Sequence, residues 1–342
     1  MRIVTFGETM LRLKSPGCER FFQSPILEAT FGGSESNVAI ALSLWGEDAA
    51  FVTVFPDNAL ADSAVAQLRA FGVDTGGIVR VPGRMGLYFV ESGACQRSGR
   101  VIYDRAESAL AAARPDTIDW NGILEKADLL HITGITPSIS QAAADATLLA
   151  AHTAKEMGLQ VSLDFNLRMN LWKYGKLPIE VMPILLKYAD ICIANEEQIA
   201  IALGLELDGG AQTCGAPDPD RFRRLAEKTV SLYPNIRLCA TTLRESVSAD
   251  RNALSAALWT PEEFYTARRY EIADIVDRIG AGDAFDAGLL YALSHFDSRA
   301  DALEFALAAA VLKHSVPGDV NRCSVGEISE LAFGSGDGRI KR

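Results

Sequence analysis

The sequence predicts an α/β fold: a doubly wound, mostly parallel sheet flanked by helices, with a small β-sheet flap set apart from it. Three observations carry that expectation. Between residues 129 and 203, apolar runs of strand length (129–132, 160–164, 191–194) alternate with helical patterns (140–157, 178–188, 196–203), as βαβ units do. Two glycine turns, Gly32-Gly33 and Gly280-Ala281-Gly282, each stand just ahead of an apolar helix. Segments 10–14, 86–91 and 100–105 carry a period of two and read as a half-exposed sheet.

Taken in order, 3–7 is a short apolar strand closed by glycine, and 10–14 is a more exposed strand leaving the core. Phe31-Gly32-Gly33-Ser34-Glu35-Ser36-Asn37 then leads into an apolar helix at 39–44 that ends near Trp45-Gly46. A plain helix start accounts for the glycines but not for Asn37, a middling helix former one turn inside an apolar helix. A strand at 50–54, a helix at 59–71 closed by Gly72 and a strand at 76–80 follow. Strands 86–91 and 100–105, joined by the polar, glycine-containing 92–99, form a hairpin. Beyond the regular core, 206–220 is rich in glycine and proline and reads as a loop, helix 221–233 and strand 237–242 come next, and the polar tail 335–342 is expected to fray.

At 342 residues, 49% of them hydrophobic, the chain has the length and apolar content for one large α/β domain or two smaller ones. The N-terminus lacks the basic-then-apolar build of a signal peptide and no apolar run reaches membrane-span length, so a cytoplasmic protein without membrane contact is expected. The six cysteines (Cys18, Cys95, Cys192, Cys214, Cys239, Cys323) form no Cys-x-x-Cys pair and read as reduced thiols, not as a zinc site or a disulfide framework. A formal net charge of −11 argues against a nucleic-acid partner, which would need a clustered basic surface. A small anionic ligand must then be met by arginines concentrated locally.

The chemistry concentrates in Asp277-Arg278-Ile279-Gly280-Ala281-Gly282-Asp283, which runs into an apolar helix at 284–295. Gly280 and Gly282 lack Cβ atoms and so open backbone N–H groups to a ligand, and the positive end of a helix favours an anion there. The plain reading of Asp283 is a cap on first-turn amides. The functional reading is that Asp283 takes a proton from a substrate hydroxyl while the amides of Gly280, Ala281 and Gly282 hold the charge of a transferring phosphoryl group. No Gly-Lys-Ser/Thr follows, so this is not a Walker loop.

Arg168, just after strand 160–164, and Arg105, on a flap strand, suit a carboxylate, because a guanidinium forks onto both of its oxygens. The plainer alternative for each is an ordinary surface ion pair. His131 ends a buried strand and reads as a hydrogen-bonded core histidine before it reads as a base. Lys313-His314, at the end of the apolar helix 302–312, suits the helix C-terminus, with nucleotide contact the alternative.

These stretches resemble the ribokinase-like (PfkB) family of sugar kinases, whose signature Asp-Thr-x-Gly-Ala-Gly-Asp has Arg278 in place of threonine here. The resemblance covers nearly the whole chain. Within the family the chain is most similar to 2-keto-3-deoxygluconate kinases, through Gly32-Gly33-Ser34-Glu35-Ser36-Asn37, Tyr103-Asp104-Arg105, Asp164-Phe165-Asn166-Leu167-Arg168 with Leu171-Trp172, Thr242-Leu243-Arg244-Glu245-Ser246, Val276-Asp277-Arg278 and Lys313-His314-Ser315-Val316-Pro317-Gly318-Asp319. It implies a single ribokinase-like domain over 1–342, with lid strands within about 10–30 and 86–106 inserted in the α/β core. It also implies ATP- and Mg2+-dependent phosphorylation of the terminal hydroxyl of a six-carbon keto acid, and a homo-oligomer paired through the lid.

By position, the resemblance makes Asp283 the general base and the amides of Gly280, Ala281 and Gly282 the anion hole. Sugar-acid contacts fall on Gly33, Asn37, Tyr88, Tyr103, Arg105, Arg168 and Asp319, and nucleotide-side roles on Asn166, Asn195, Thr242, Arg244, Ser246, Lys313 and His314. Arg12 stands five residues past Gly7, where neutral-sugar kinases of the family commonly carry a hydroxyl-gripping aspartate, and tilts the reading toward an acid. Two stretches depart from the pattern. Asn195-Glu196-Glu197-Gln198 stands for Asn-x-x-Glu, which leaves the neutral amide of Gln198, or Glu197 acting through water, to serve magnesium. Thr242–Ser246 lacks the glycines of the usual Thr-x-Gly-x-x-Gly turn, with Arg244 available for a phosphate. The alternatives are a kinase of a neutral ketose such as fructose, a kinase of another keto-deoxy sugar acid, and a catalytically silent sugar-acid sensor.

Overall fold

The computed structural model describes residues 1–206 and 218–334. Most of the loop expected at 206–220, with Cys214, and the whole tail 335–342 lie outside the described residues; the other five cysteines are free thiols.

The N-terminal strands are β1 (Arg2–Phe6), β2 (Met10–Lys14), β3 (Glu28–Gly32), β4 (Asp48–Pro56), β5 (Ile78–Val81), β6 (Leu87–Glu91) and β7 (Arg100–Asp104). Next come β8 (Leu129–Thr133), β9 (Gln160–Asp164), β10 (Ile191–Ile193) and β11 (Leu238–Ser246), then β12 (Asn252–Trp259), β13 (Phe264–Thr266) and β14 (Tyr270–Ile272). The main sheet runs β13-β12-β11-β10-β9-β8-β1-β4-β5, with β14 also paired to β12. Neighbours from β11 to β5 are all parallel, and β12 to β14 add an antiparallel edge.

Alternate residues along the central strands feed two separate cores, Val4, Phe6, Leu130 and Ile132 into one and Ile3 and Leu129 into the other. That is the period-two consequence of helices covering both faces of the sheet, and it explains why these strands read as continuous apolar runs.

The flap forms a sheet of its own in the order β3-β2-β6-β7. Its strands β2, β6 and β7 fall where the period-two segments do, and β6 and β7 make the expected hairpin. Strand β3 was not legible as a strand: Glu28, Ala29 and Thr30 are exposed, which leaves Phe31 as its one large apolar residue before Gly32.

Three expectations need correction. The helix expected at 39–44 starts at Ser34 and that expected at 284–295 starts at Ala281, giving Ser34–Leu44 and Ala281–His295. In both, buried polar residues occupy the first turn and break the apolar pattern. The third correction concerns Thr242–Ser246, which makes no turn. With no glycine to interrupt it, β11 continues through this stretch, paired with β12 from Thr242↔Ala256 to Ser246↔Asn252.

Candidate active site

A cavity of about 660 Å³ opens where β1, β8, β9 and β10 end, beneath the small sheet. In open α/β sheets this C-terminal edge is where ligands bind. Glu8, Ile135, Asp164, Asn166, Arg168 and Asn195 reach it from the strand ends, and Met10, Gly32, Tyr88 and Tyr103 from the small sheet.

The Ala281–His295 helix enters the cavity from Gly280, whose φ of 82° is left-handed. A Cβ there would lie 1.9 Å from the Asp319 carbonyl oxygen, so only glycine fits. Gly33 plays the same part for the facing helix, where a Cβ would lie 2.1 Å from the Glu8 carbonyl oxygen.

Asp283 is no cap. Ser34 Oγ donates to its Oδ1 at 2.5 Å and Asn37 Nδ2 donates to its Oδ2 at 2.6 Å, while Asn166 Nδ2 donates to Ser34 Oγ at 3.1 Å. This accounts for Asn37 inside an otherwise apolar helix. Burial pushes the Asp283 carboxyl above its ordinary range, against the pull of the Asn37 and Ser34 donors.

Neither Arg105 nor Arg168 is a surface ion pair. Arg105 is buried, with Nε at 2.7 Å and Nη2 at 2.6 Å from Glu8 Oε2, and its Nη1 has no partner. Arg168 is half-buried, and among the described residues its guanidinium donates only to its own neighbour's carbonyl, Leu167 O, at 3.2 Å. Arg12 is different and corrects the expectation placed on it: it does not line the cavity, and its guanidinium is held by Asp277 and Asp319 of the same chain. Its charge is therefore no argument for an acidic substrate. Asp319 does line the cavity, and it accepts from Tyr88 Oη at 2.5 Å.

Several cavity residues had no role from sequence reasoning: Glu8, Glu35, Asp164, Arg278 and Asp286. Asp286 follows Asp283 by three residues on one helix face, a spacing that would have found it. Asp164 and Asp286 hydrogen-bond to each other; burial and then the neighbouring carboxylates push Asp286 far up, and burial takes Asp164 to about 7. Glu35 accepts from Thr133 Oγ1 at 2.6 Å and Thr136 Oγ1 at 2.9 Å.

The sequence model of the pfkB family carbohydrate kinases matches residues 2–231 and 253–324. The chain belongs to that family. It is similar to the 2-dehydro-3-deoxygalactonokinase of Haloferax volcanii, at 33% identity over 340 residues covering 99% of each chain. It is also similar to the 2-dehydro-3-deoxygluconokinase of Thermoproteus tenax, at 29% identity over 328 residues, 93% of this chain and 89% of that one. Among solved structures, the 2-dehydro-3-deoxygluconokinase of Thermotoga maritima matches with a TM-score of 0.90 at 42% identity, covering 97% of this chain and 99% of that one. The fold is ribokinase-like, and this pfkB protein is an ATP-dependent sugar kinase.

Of the residues expected to serve the nucleotide, Asn166, Asn195, Thr242 and Arg244 line the cavity, and Arg278 lines it too. Asn195 and Gln198 form a reciprocal helix cap, Asn195 Oδ1 accepting from the Gln198 amide at 2.8 Å and Gln198 Oε1 from the Asn195 amide at 3.0 Å. Four assigned residues do not line the cavity. Glu197 is exposed outside it, and Ser246 lines a neighbouring cavity under the lid hairpin. Lys313 is fully buried, with Nζ donating to the Val316 carbonyl at 3.0 Å, and buried His314 bonds the Ala310 carbonyl through Nδ1 at 2.8 Å. His131 is the expected core histidine, 3.1 Å from Ser162 Oγ and pushed by burial to about 3. Among the described residues no cluster of three or more His, Cys, Asp or Glu side chains is arranged to hold a metal, and no helix is long and apolar enough to cross a membrane.

Proposed function

We propose that this kinase transfers the γ-phosphoryl group of ATP to the terminal hydroxyl of 2-keto-3-deoxygluconate, the compound also called 2-dehydro-3-deoxygluconate. The observation that carries the reading is the union in one cavity of Asp283, at a helix N-terminus, with Arg168, a guanidinium without an ion pair among the described residues. Arg168 and the unpartnered Nη1 of Arg105 take the substrate's carboxylate, which turns the far end of the sugar acid toward Asp283. Ser34 and Asn37 hold both Asp283 oxygens, so the carboxylate is aimed before the hydroxyl arrives. Asp283 then accepts the hydroxyl proton as that oxygen attacks phosphorus. The amides of Gly280, Ala281 and Gly282, with Arg244 and Arg278, stabilise the charge on the transferring group.

Magnesium fits this donor set only as an ion carried on the phosphates with most of its waters kept, near the side-chain amides of Asn195 and Gln198, where it neutralises phosphate charge. The names of the similar proteins support a keto-deoxy sugar acid over a neutral ketose. The 33% identity to a galactonokinase over the full length favours the galactono epimer as the second reading. The proposal extends to a cytoplasmic homodimer joined through the lids, whose outer strand β7 exposes Val101 and Ile102; sedimentation of the purified chain tests it.

Coupled ADP release measured on 2-keto-3-deoxygluconate, its galactono epimer and fructose is the deciding experiment. The keto acids should exceed fructose in kcat/KM by roughly 100-fold or more, since a site built for a charged group leaves its donors unpaired on a neutral one. Comparable rates on fructose would overturn the acid assignment.

A further inference from the structure

Arg12 sits on the lid strand β2, yet it is among the largest fully buried side chains, at 1% exposure. A guanidinium withdrawn from water needs compensating charge, and here there are two sources. Arg12 Nη2 donates to Asp277 Oδ2 at 2.6 Å, and Nη1 donates to Asp319 Oδ1. Lys313 stands on the far side with Nζ on the Asp277 carbonyl at 3.3 Å, so two cations and two carboxylates balance within one buried group.

Both carboxylates are joined to the anion-binding turn. Asp277 Oδ1 accepts from the Ile279 amide at 3.1 Å, one residue ahead of Gly280, and Asp277 Oδ2 accepts from the Gly318 amide at 3.2 Å. The Asp319 backbone packs so closely on Gly280 that its carbonyl oxygen occupies the space a Cβ would need. The second oxygen of Asp319 is bonded by Tyr88 from lid strand β6. One guanidinium and one phenol thus carry two lid strands down to the base of the turn that starts the catalytic helix.

We propose that Arg12 is a positioning residue: it touches no substrate, but by clasping Asp277 and Asp319 it docks β2 on the Gly280–Gly282 turn and sets that turn's amides for the phosphoryl group. The proposal rests on the kinase reading of the turn. Without Arg12 the two carboxylates are left buried and repelling each other beside Gly280. A lysine, a single point charge, does not fork onto both.

The test combines kinetics with hydrogen exchange on the whole, unliganded chain. Arg12→Met should lower kcat by roughly 100-fold, the scale of a misplacement of about 1 Å, with KM for the keto acid nearly unchanged. Arg12→Lys should recover only a small part of kcat. Adding Asp319→Asn to Arg12→Met should cost less than the two separate losses combined, because the second change removes a carboxylate that the first left unpaired. In Arg12→Met the amides of 11–14 and 276–283 should lose exchange protection together, while β8 and β9 keep theirs. A rise in KM with kcat preserved would make Arg12 a substrate reader and overturn the proposal, as would unchanged exchange in both segments. If Arg12→Met does not fold, Asp277→Asn carries the same kinetic and exchange comparisons, since it weakens the same clasp from a residue outside the cavity. The exchange measurement uses no substrate, so an error in the sugar assignment shows as an inactive wild type and leaves the test of Arg12 standing.

Discussion

Asn37 Nδ2 donates to Asp283 Oδ2 at 2.6 Å across 246 residues of sequence. With Ser34 on the other oxygen, the first turn of one helix holds a carboxylate in the first turn of another, both raised on glycines that admit no side chain. Such a carboxylate is oriented without being neutralised, which is what a general base needs.

Asp283→Asn should therefore lower kcat by about 10²- to 10⁴-fold, the usual contribution of a general base, while binding of keto acid and ATP stays near wild type. Rapid-quench turnover together with calorimetric titration of each ligand checks both halves. Near-normal kcat would remove Asp283 from the mechanism.

Hydrogen bonds to the ionised form favour ionisation, so Asn37→Ala should raise the Asp283 pKa further above its ordinary range. Asp283 must be deprotonated to act, so the acidic limb of the kcat/KM profile should move to higher pH. A profile displaced to lower pH, or not displaced at all, would contradict the role given to Asn37.

Arg168→Met and Arg105→Met should separate by stability. Both should weaken kcat/KM for the keto acid, by about 2–5 kcal/mol for Arg168, with little change on a neutral analogue. Only Arg105→Met leaves a buried partner, Glu8, unpaired, at a further cost of roughly 3–5 kcal/mol in denaturant unfolding. Equal losses on acidic and neutral substrates would mean that these arginines hold the lid or the phosphates instead.

Burial holds the Asp164 carboxyl near 7, against about 3.9 in an unfolded chain. Between about pH 4 and pH 7 the native state therefore keeps two protons, on Asp164 and on Asp286, that the unfolded state has lost. Stability should fall as pH rises through that window, by up to about 1.4 kcal/mol per unit for each retained proton, and go on falling above it while Asp286 keeps its own. Asp286→Asn removes one of the two retained protons, so it should flatten the slope. Urea unfolding of both proteins from pH 4.5 to 8 measures it, and a wild-type curve that rises across the window would refute the retained protons.

The sequence by itself determined the parallel core between 129 and 203, because strands covered on both faces must be continuously apolar. It determined the hairpin of the small sheet through period-two alternation, the glycine turn at 280–282 through the missing Cβ atoms that open its backbone to a ligand, and His131 as a core residue through its apolar neighbours. All of these are set by patterns a few residues long. The helix starts at Ser34 and Ala281 were hidden because residues facing a polar cavity break the apolar period that marks a helix, and β3, with Phe31 its one large apolar residue, shows no alternating pattern. What Arg12 does was decided by tertiary structure alone: its charge is local, but its partners lie 265 and 307 residues away, and only the docking of the lid on the core makes it a clasp and not a substrate contact. The same holds for Arg105 and Glu8, separated by 97 residues. The role of a charge depends on which opposite charge the fold brings within about 4 Å of it, and sequence spacing carries no record of that distance.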